Sequence, residues 1–270
     1  MLVLATLFWG LSYSIQSISA QNLQPFTTVF FKGIGGIFLY PLILSSGKKI
    51  DRDHLVGGIL MGAFAFGGCV FQQLGIMYST VSKASFITTL YILFVPLMEL
   101  FLGQKVKRKI WFSIVLALIG LYFLCISEVS GISIGDLFLL IGSLLFAGQI
   151  IVIDRYSKKC DPIVLTFISQ VAVAVFAFVL MVFKERPAMA DITSAIGPIL
   201  YMVFIGGLIS QCIQITFQRD LDSSLSSLLM SFESVFGAFF GWLILHQVMS
   251  AREIFGCFLV FVSILIAEMK

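Results

Sequence analysis

Ten stretches of about 20 mostly apolar residues follow one another along this chain, at approximately 2–19, 25–44, 55–78, 82–102, 110–127, 134–153, 162–183, 196–218, 223–245 and 252–268. Each is long enough to cross the hydrocarbon core of a bilayer. Together they occupy most of the 270 residues and leave no room for a soluble domain. Only 11% of the residues are charged and the mean hydropathy is +1.06, whereas soluble domains carry about 25% charge. The runs are rich in Leu, Phe, Ile and Gly and lack the alternation of barrel strands. The expected class is therefore an all-α polytopic membrane protein with ten transmembrane helices. The first run has no basic start, and Ala20-Gln21 is a poor cleavage site, so it reads as a span rather than a signal peptide.

The net charge of +3 comes from basic residues in short loops, which is no signature of nucleic-acid binding. With the N-terminus in the cytoplasm, the inside loops and the C-terminal end hold 12 Lys and Arg residues, among them Lys48, Lys105, Lys107, Lys158 and Arg219. The outside loops hold four: Lys83, Lys184, Arg186 and Arg252. The positive-inside rule then places both termini in the cytoplasm of a bacterial inner membrane. Five cysteines, Cys69, Cys125, Cys160, Cys212 and Cys257, form no Cys-x-x-Cys and read as reduced and structural.

The chain also repeats itself. Pro25 opens the second span and Pro162 the seventh, at the first turn where a missing N–H costs little. The same offset of 137 pairs Phe30 with Phe167, and an offset of 143 pairs Leu100 with Leu243, Gln104 with Gln247 and Phe112 with Phe255. The halves are 1–127 and 134–270, with five spans each. An odd number of spans inverts the second half, an architecture that many secondary transporters use for alternating access around a midplane site.

Polar residues within spans are expensive against lipid, so they are expected to face the bundle or a wet cavity. Trp9, Ser12, Tyr13 and Gln16 recur at helical spacing in the first span, and Gln211, Gln214 and Gln218 do so in the eighth. Gln72 and Gln73 are adjacent in the third. Ser85, Thr88 and Glu99 share an arc of the fourth, and Ser226, Glu233 and Gly237 share one of the ninth. The sixth adds only Gln149, while the fifth and tenth are almost free of polar residues and read as peripheral. Gly58 and Gly62, like Gly237 and Gly241, form G-x-x-x-G pairs suited to close helix packing. The expected substrate-binding set is Trp9, Ser12, Gln16, Gln72, Thr88, Tyr91, Gln211, Gln214 and Glu233.

A charge at a helix centre costs about 2.5–3.5 kcal/mol on insertion scales. Glu233 lies at the centre of the ninth span, without a short route to the interface, and is the candidate proton-coupling residue. Glu99 is six residues from Lys105 and can snorkel or pair with Lys105 or Lys107. Lys32 is near the middle of the second span and can neutralise either acid, so Lys32 and Glu99 are charge-pair candidates. Pro96 deprives the Ile92 carbonyl of its helical partner and is the candidate hinge of the fourth span.

The segments LATLFWGLSYS (4–14), SFITTLYILFVPLMELFLGQ (85–104) and SLSSLLMSFESVFGAFFGWLILHQ (224–247) resemble the first, fourth and ninth helices of the drug/metabolite transporter superfamily, in particular its EamA-type ten-helix carriers. Lys32 falls where that family commonly has arginine. Departures are Gly103-Gln104 and His246-Gln247 where Gly-Glu is frequent, and Ser234 after Glu233 where proline is frequent. The resemblance implies export or exchange of small metabolites such as amino acids, with membrane lipid as the other partner.

Two other classes fit the composition less well. An intramembrane enzyme acting on lipid or protein would need a zinc motif, a serine with a base, or paired aspartates in spans; the only histidines, His54 and His246, lie near loops. A scramblase or passive channel would lack trans-stimulated exchange. No P-loop, metal motif or cofactor motif is present, which leaves transport driven by a gradient.

Overall fold

The computed structural model describes residues 1–79, 81–125, 133–245 and 250–269; His246, Gln247 and the side chain of Cys125 lie outside the described residues. No strand occurs among the described residues. The helices are α1 (Leu2–Ser19), α2 (Pro25–Ser45), α3 (Arg52–Tyr78), α4 (Val81–Thr89 and Tyr91–Phe101), α5 (Arg108–Cys125), α6 (Ile134–Ser157), α7 (Pro162–Glu185), α8 (Ile196–Gln218), α9 (Ser223–Met230 and Phe232–Leu245) and α10 (Ala251–Glu268). Eight of them, all but α5 and α10, are long and apolar enough to cross a membrane by length and composition. A single-turn helix, Met189–Ser194, sits in the α7–α8 connection.

Local chemistry sets the helix starts. Pro25 and Pro162 occupy the first turns of α2 and α7. The Asp51 side chain accepts from the His54 N–H, and the Asp161 side chain accepts from the N–H groups of Ile163 and Val164. Ser133 with Asp136, and Ser250 with Glu253, form reciprocal capping boxes that satisfy donors the first turn leaves open.

The packing has a hidden symmetry. The extensive contacts are α3 with α6 and α7, α8 with α1 and α2, α1 with α9, α4 with α6, α2 with α7, and α5 with α10. Exchanging each helix with the one five places along the chain maps this set onto itself. Every one of these contacts joins one half of the chain to the other. The halves therefore interleave, and neither is a block that can rock against its twin without breaking these interfaces.

Close approach rests on small residues. A Cβ on Gly58 would lie 2.6 Å from Ile168 Cβ, and one on Gly62 would lie 2.6 Å from Ala172 Cβ and 2.7 Å from Ser169 O, so the first G-x-x-x-G pair seats α3 on α7. The second pair plays a lesser part, because a Cβ on Gly237 meets nothing nearer than 3.7 Å. At the α1–α9 crossing the tight residue is Gly10. Gly120 and Gly256 seat α5 on α10, at the edge of the bundle as the sequence suggests.

Two helices are broken, but not where proline predicts. Pro96 lies inside the continuous piece Tyr91–Phe101, and the discontinuity of α4 is at Leu90, six residues earlier. The expected hinge at Pro96 is thus corrected. At Leu90 the bonding shifts to the tighter Leu90 N–H to Ile87 O pair, while the Thr89 hydroxyl bonds back to Ser85 O at 2.7 Å. In α9 the break is at Ser231, whose N–H is shared between Ser227 O and Leu228 O and whose hydroxyl bonds Leu228 O. Hydroxyls that compete for helix carbonyls bend helices, and the Ser/Thr-rich sequence here supplies them.

The α2–α7 pair is fastened at both ends. At one end the N–H groups of Phe26 and Thr27 and the Thr27 hydroxyl donate to the Glu185 carboxylate, each at 2.7 Å. At the other, Lys48 Nζ lies 2.8 Å from Asp161. Partial desolvation pushes the Asp161 carboxyl upward, but Lys48 and the N–H groups of Val164 and Ile163 outweigh it and hold it below the usual carboxylate range. A lowered carboxyl stabilises the fold above its unfolded-state pKa, and that contribution disappears as pH falls through the folded value. Asp161→Asn should therefore lower the melting temperature at neutral pH and flatten its decline in acid. A variant whose acid limb matches wild type would remove this linkage.

Candidate substrate site

All nine residues expected to bind substrate line one cavity: Trp9, Ser12 and Gln16 from α1, Gln72 from α3, Thr88 and Tyr91 from α4, Gln211 and Gln214 from α8, and Glu233 from α9. Lys32 lines it too. The water-accessible core of the cavity is about 60 Å³.

Glu233 organises the polar wall. It is buried, and it stands in the first turn of the second piece of α9, directly after the break at Ser231. The exposed N–H groups of a helix start favour a carboxylate there. Its Oε1 accepts from Tyr91 Oη at 3.0 Å and from Tyr13 Oη at 3.4 Å, and Gln72 Nε2 donates to Tyr13 Oη at 3.3 Å. Tyr91 in turn begins the second piece of α4, directly after the break at Leu90. The two interrupted helices thus meet at the carboxylate. Near the breaks, Thr89 and Ser234 hydroxyls lie 2.6 Å apart, and Ser234 bonds Ser85 O.

The opposite wall is built on a widened stretch of α8, Met202–Ile209, whose turns are π-helical. The Gly206 carbonyl accepts from Trp9 Nε1 at 3.2 Å, and the Ser210 hydroxyl donates to Ile205 O at 2.6 Å. Gly207 abuts the Lys32 carbonyl so closely that no side chain fits there. The wide turn thereby locks both the Trp9 ring and the α2 backbone that carries Lys32. Thr88 Oγ1, Gln170 Nε2 and Gln211 Nε2 are buried and make no hydrogen bond among the described residues, which leaves them to serve a ligand.

The charge-pair candidates part company. Lys32 Nζ contacts Cys69 Sγ at 3.4 Å; it lies within electrostatic reach of Glu233 in the same cavity but makes no ion pair with Glu233 or Glu99. Among the described residues Glu99 pairs with no lysine either. It accepts from the Ser224 hydroxyl, far from the central cavity, and faces a separate pocket at the lysine-rich end of the bundle. Pro96 lines neither space.

Sequence reasoning passed over several lining residues. Tyr13 was visible in the α1 stripe, but its bond to Glu233 joins residues 220 apart. Gln149 and Gln170 bring α6 and α7 into the wall. Gln170 could have been found as a buried amide in an otherwise apolar helix, next to Ser169. Phe146 lies 137 residues after Trp9, so the repeat offset finds it.

One set of residues elsewhere has metal-ligand spacing: Asp51, His54 and Cys160 offer atoms within 4.8 Å of one another. His54 has no nitrogen to spare for an ion, however. Nδ1 lies 2.7 Å from Asp51 Oδ1, and Nε2 accepts from the Asp161 N–H at 3.0 Å. Burial pushes the Cys160 thiol up, away from the thiolate a metal requires.

The EamA-like transporter family matches residues 1–126 and 133–269. An uncharacterized transporter of Archaeoglobus fulgidus is 28% identical over 274 residues, covering 100% of this chain and 85% of its own. The uncharacterized transporter YoaV of Bacillus subtilis (strain 168) is 22% identical, covering 96% and 92%. A crystal structure with a TM-score of 0.80 and 17% identity covers 98% of this chain and 94% of its own, which shows a shared fold.

Proposed function

The chain belongs to the EamA-like transporter family, and from that premise we propose that it is a secondary-active carrier that exports or exchanges small metabolites such as amino acids. Its place is the bacterial cytoplasmic membrane, with both termini and the lysine-rich end in the cytoplasm, as the charge bias of the loops favours. The observation that carries the substrate class is the pairing of Lys32 and Glu233 in one cavity without an ion pair between them. A cation and an anion that face one small polar space without direct contact complement a zwitterion. Lys32 receives the carboxylate, Glu233 the ammonium, and the glutamines, Ser12 and Thr88 the remaining polar atoms, while Trp9 offers an apolar face.

The cavity must widen to admit a molecule of that size. The interleaved halves resist moving as two blocks, so the cycle runs on the inner and outer pieces of α4 and α9, which part at Leu90 and Ser231. Discontinuous helices that meet at the site are the usual device of inverted-repeat carriers. Alternating access then proceeds by tilting these pieces, with Glu233 releasing or taking a proton as substrate leaves.

Proteoliposomes loaded with a pooled set of labelled amino acids and other small metabolites test this reading, with release followed by mass spectrometry. The expected result is saturable release of one chemical class, accelerated by the same class outside. Release without trans-stimulation would identify a channel. No release of any compound from folded protein would sink the carrier.

A further inference from the structure

Beyond the central cavity, a second polar space lies at the lysine-rich end, between the α4–α5 connection, the end of α6 and the start of α9, and measures about 300 Å³. By the same measure the central cavity holds about 60 Å³. At its floor is the carboxyl of Glu99, only 5% exposed, held by the Ser224 hydroxyl and in no ion pair among the described residues. Burying a carboxylate without a counter-charge is costly unless something else supplies one. Around the mouth stand Lys105 and Lys107, which form no ion pair among the described residues. The other lysines are engaged: Lys158 with Asp154 at 2.6 Å, and Lys109 with the Met269 carbonyl.

Like the central cavity, this pocket sets a buried acid and lysine around one polar space, here with Asp154 and Asp222 also on its wall. A hydrogen-bonded polar plug stands at the central cavity, built on the ends of α8 and α6 whose following residues reach the Glu99 pocket. Gln214 Nε2 donates to Gln218 Oε1 at 3.2 Å and contacts Met230 Sδ, and Gln218 Nε2 donates to Ile150 O at 2.7 Å. Gln214 and Met230 also line the central cavity, so the plug is its floor.

We propose that the Glu99 pocket is a second binding station for the same class of molecule, a primary amine bearing a carboxylate, in series with the central cavity on the cytoplasmic side. The amine sits on Glu99 and the carboxylate between Lys105 and Lys107. Parting of the Gln214–Gln218–Ile150 plug passes the molecule from this station to the central one. The proposal rests on the zwitterion reading of the central site.

Native mass spectrometry of the full chain in detergent, with a pooled set of L-amino acids, tests it by counting molecules bound per chain. Wild type should carry two at saturation. Glu99→Gln and Glu233→Gln should each carry one, the missing site weakened at least tenfold. If Glu99→Gln misfolds, the double variant Lys105→Met, Lys107→Met, altered only at exposed positions, should lose the same single molecule. Wild type that carries one molecule, lost in Glu233→Gln and kept in Glu99→Gln, would overturn the second station while leaving the central site standing. No amino acid bound by any form, alongside intact exchange of another compound class, would overturn both the station and the zwitterion reading.

Discussion

Glu233→Gln is expected to abolish the response of exchange to a pH gradient and to lower exchange without a gradient by roughly 10- to 100-fold. Glutamine keeps the shape and still accepts from the Tyr91 and Tyr13 hydroxyls, so the two broken helices stay joined. It loses the charge that would meet a substrate ammonium and the ability to exchange a proton. A hydrogen bond to a charged group contributes about 1.5–3 kcal/mol, and each 1.4 kcal/mol is about tenfold in affinity, which gives the expected range. Tyr91→Phe is the companion variant. It removes one of the two tyrosine donors but leaves the carboxylate, its charge and the Tyr13 bond, and should reduce exchange only several-fold with the pH response intact. Rates measured in proteoliposomes with and without an imposed gradient decide the matter. Full pH dependence in Glu233→Gln would move proton coupling to another group.

Gly10→Ala should have an effect out of proportion to one methyl group. Its Cβ would sit 2.5 Å from Phe236 Cβ, 2.8 Å from Gly237 N and 2.9 Å from Glu233 O. Two of these atoms are backbone, so no rotamer change relieves them. α9 must move away from α1 and carry Glu233 with it, stretching the 3.4 Å bond to Tyr13. Overpacking of this kind costs about 1–3 kcal/mol, and the displaced carboxylate should reduce exchange by at least tenfold. Gly197→Ala is the control, because its Cβ would meet nothing within 4 Å. Alanine there should be close to neutral, its better helix propensity offset by the crowding that Pro198 imposes on the residue before it. Thermal unfolding in detergent and exchange rates read both variants. A Gly10→Ala protein with wild-type melting and exchange would show that the α1–α9 contact yields at no cost.

Much of the site was legible because the membrane sharpens the sequence signal. Trp9, Ser12 and Gln16, or Gln211 and Gln214, declare a shared face by spacing alone, since polar groups in an apolar helix are few and cannot face lipid. Lys32 and Glu99 were harder. Opposite charges in nearby spans suggest a pair, but Lys32 turns to Cys69 in the central cavity and Glu99 to Ser224 at the end of the bundle. Which acid a lysine meets depends on the rotation and depth of helices distant in sequence. Pro96 misled for a related reason. Its missing N–H marks a weak point, yet α4 breaks at Leu90, where hydroxyl bonding and the contact with α9 act together.

The sequence by itself determined the helices, their approximate ends, the membrane as their solvent and the polar stripe on each. These follow from local length, hydropathy and capping, which a residue and its near neighbours decide. Only the tertiary structure decided that the stripes of α1, α3, α4, α8 and α9 close on one cavity with Lys32 among them, and that the two halves interleave. It also decided that the breaks in α4 and α9 meet at Glu233. These depend on which glycines let which helices touch, and therefore on contacts between residues more than a hundred positions apart.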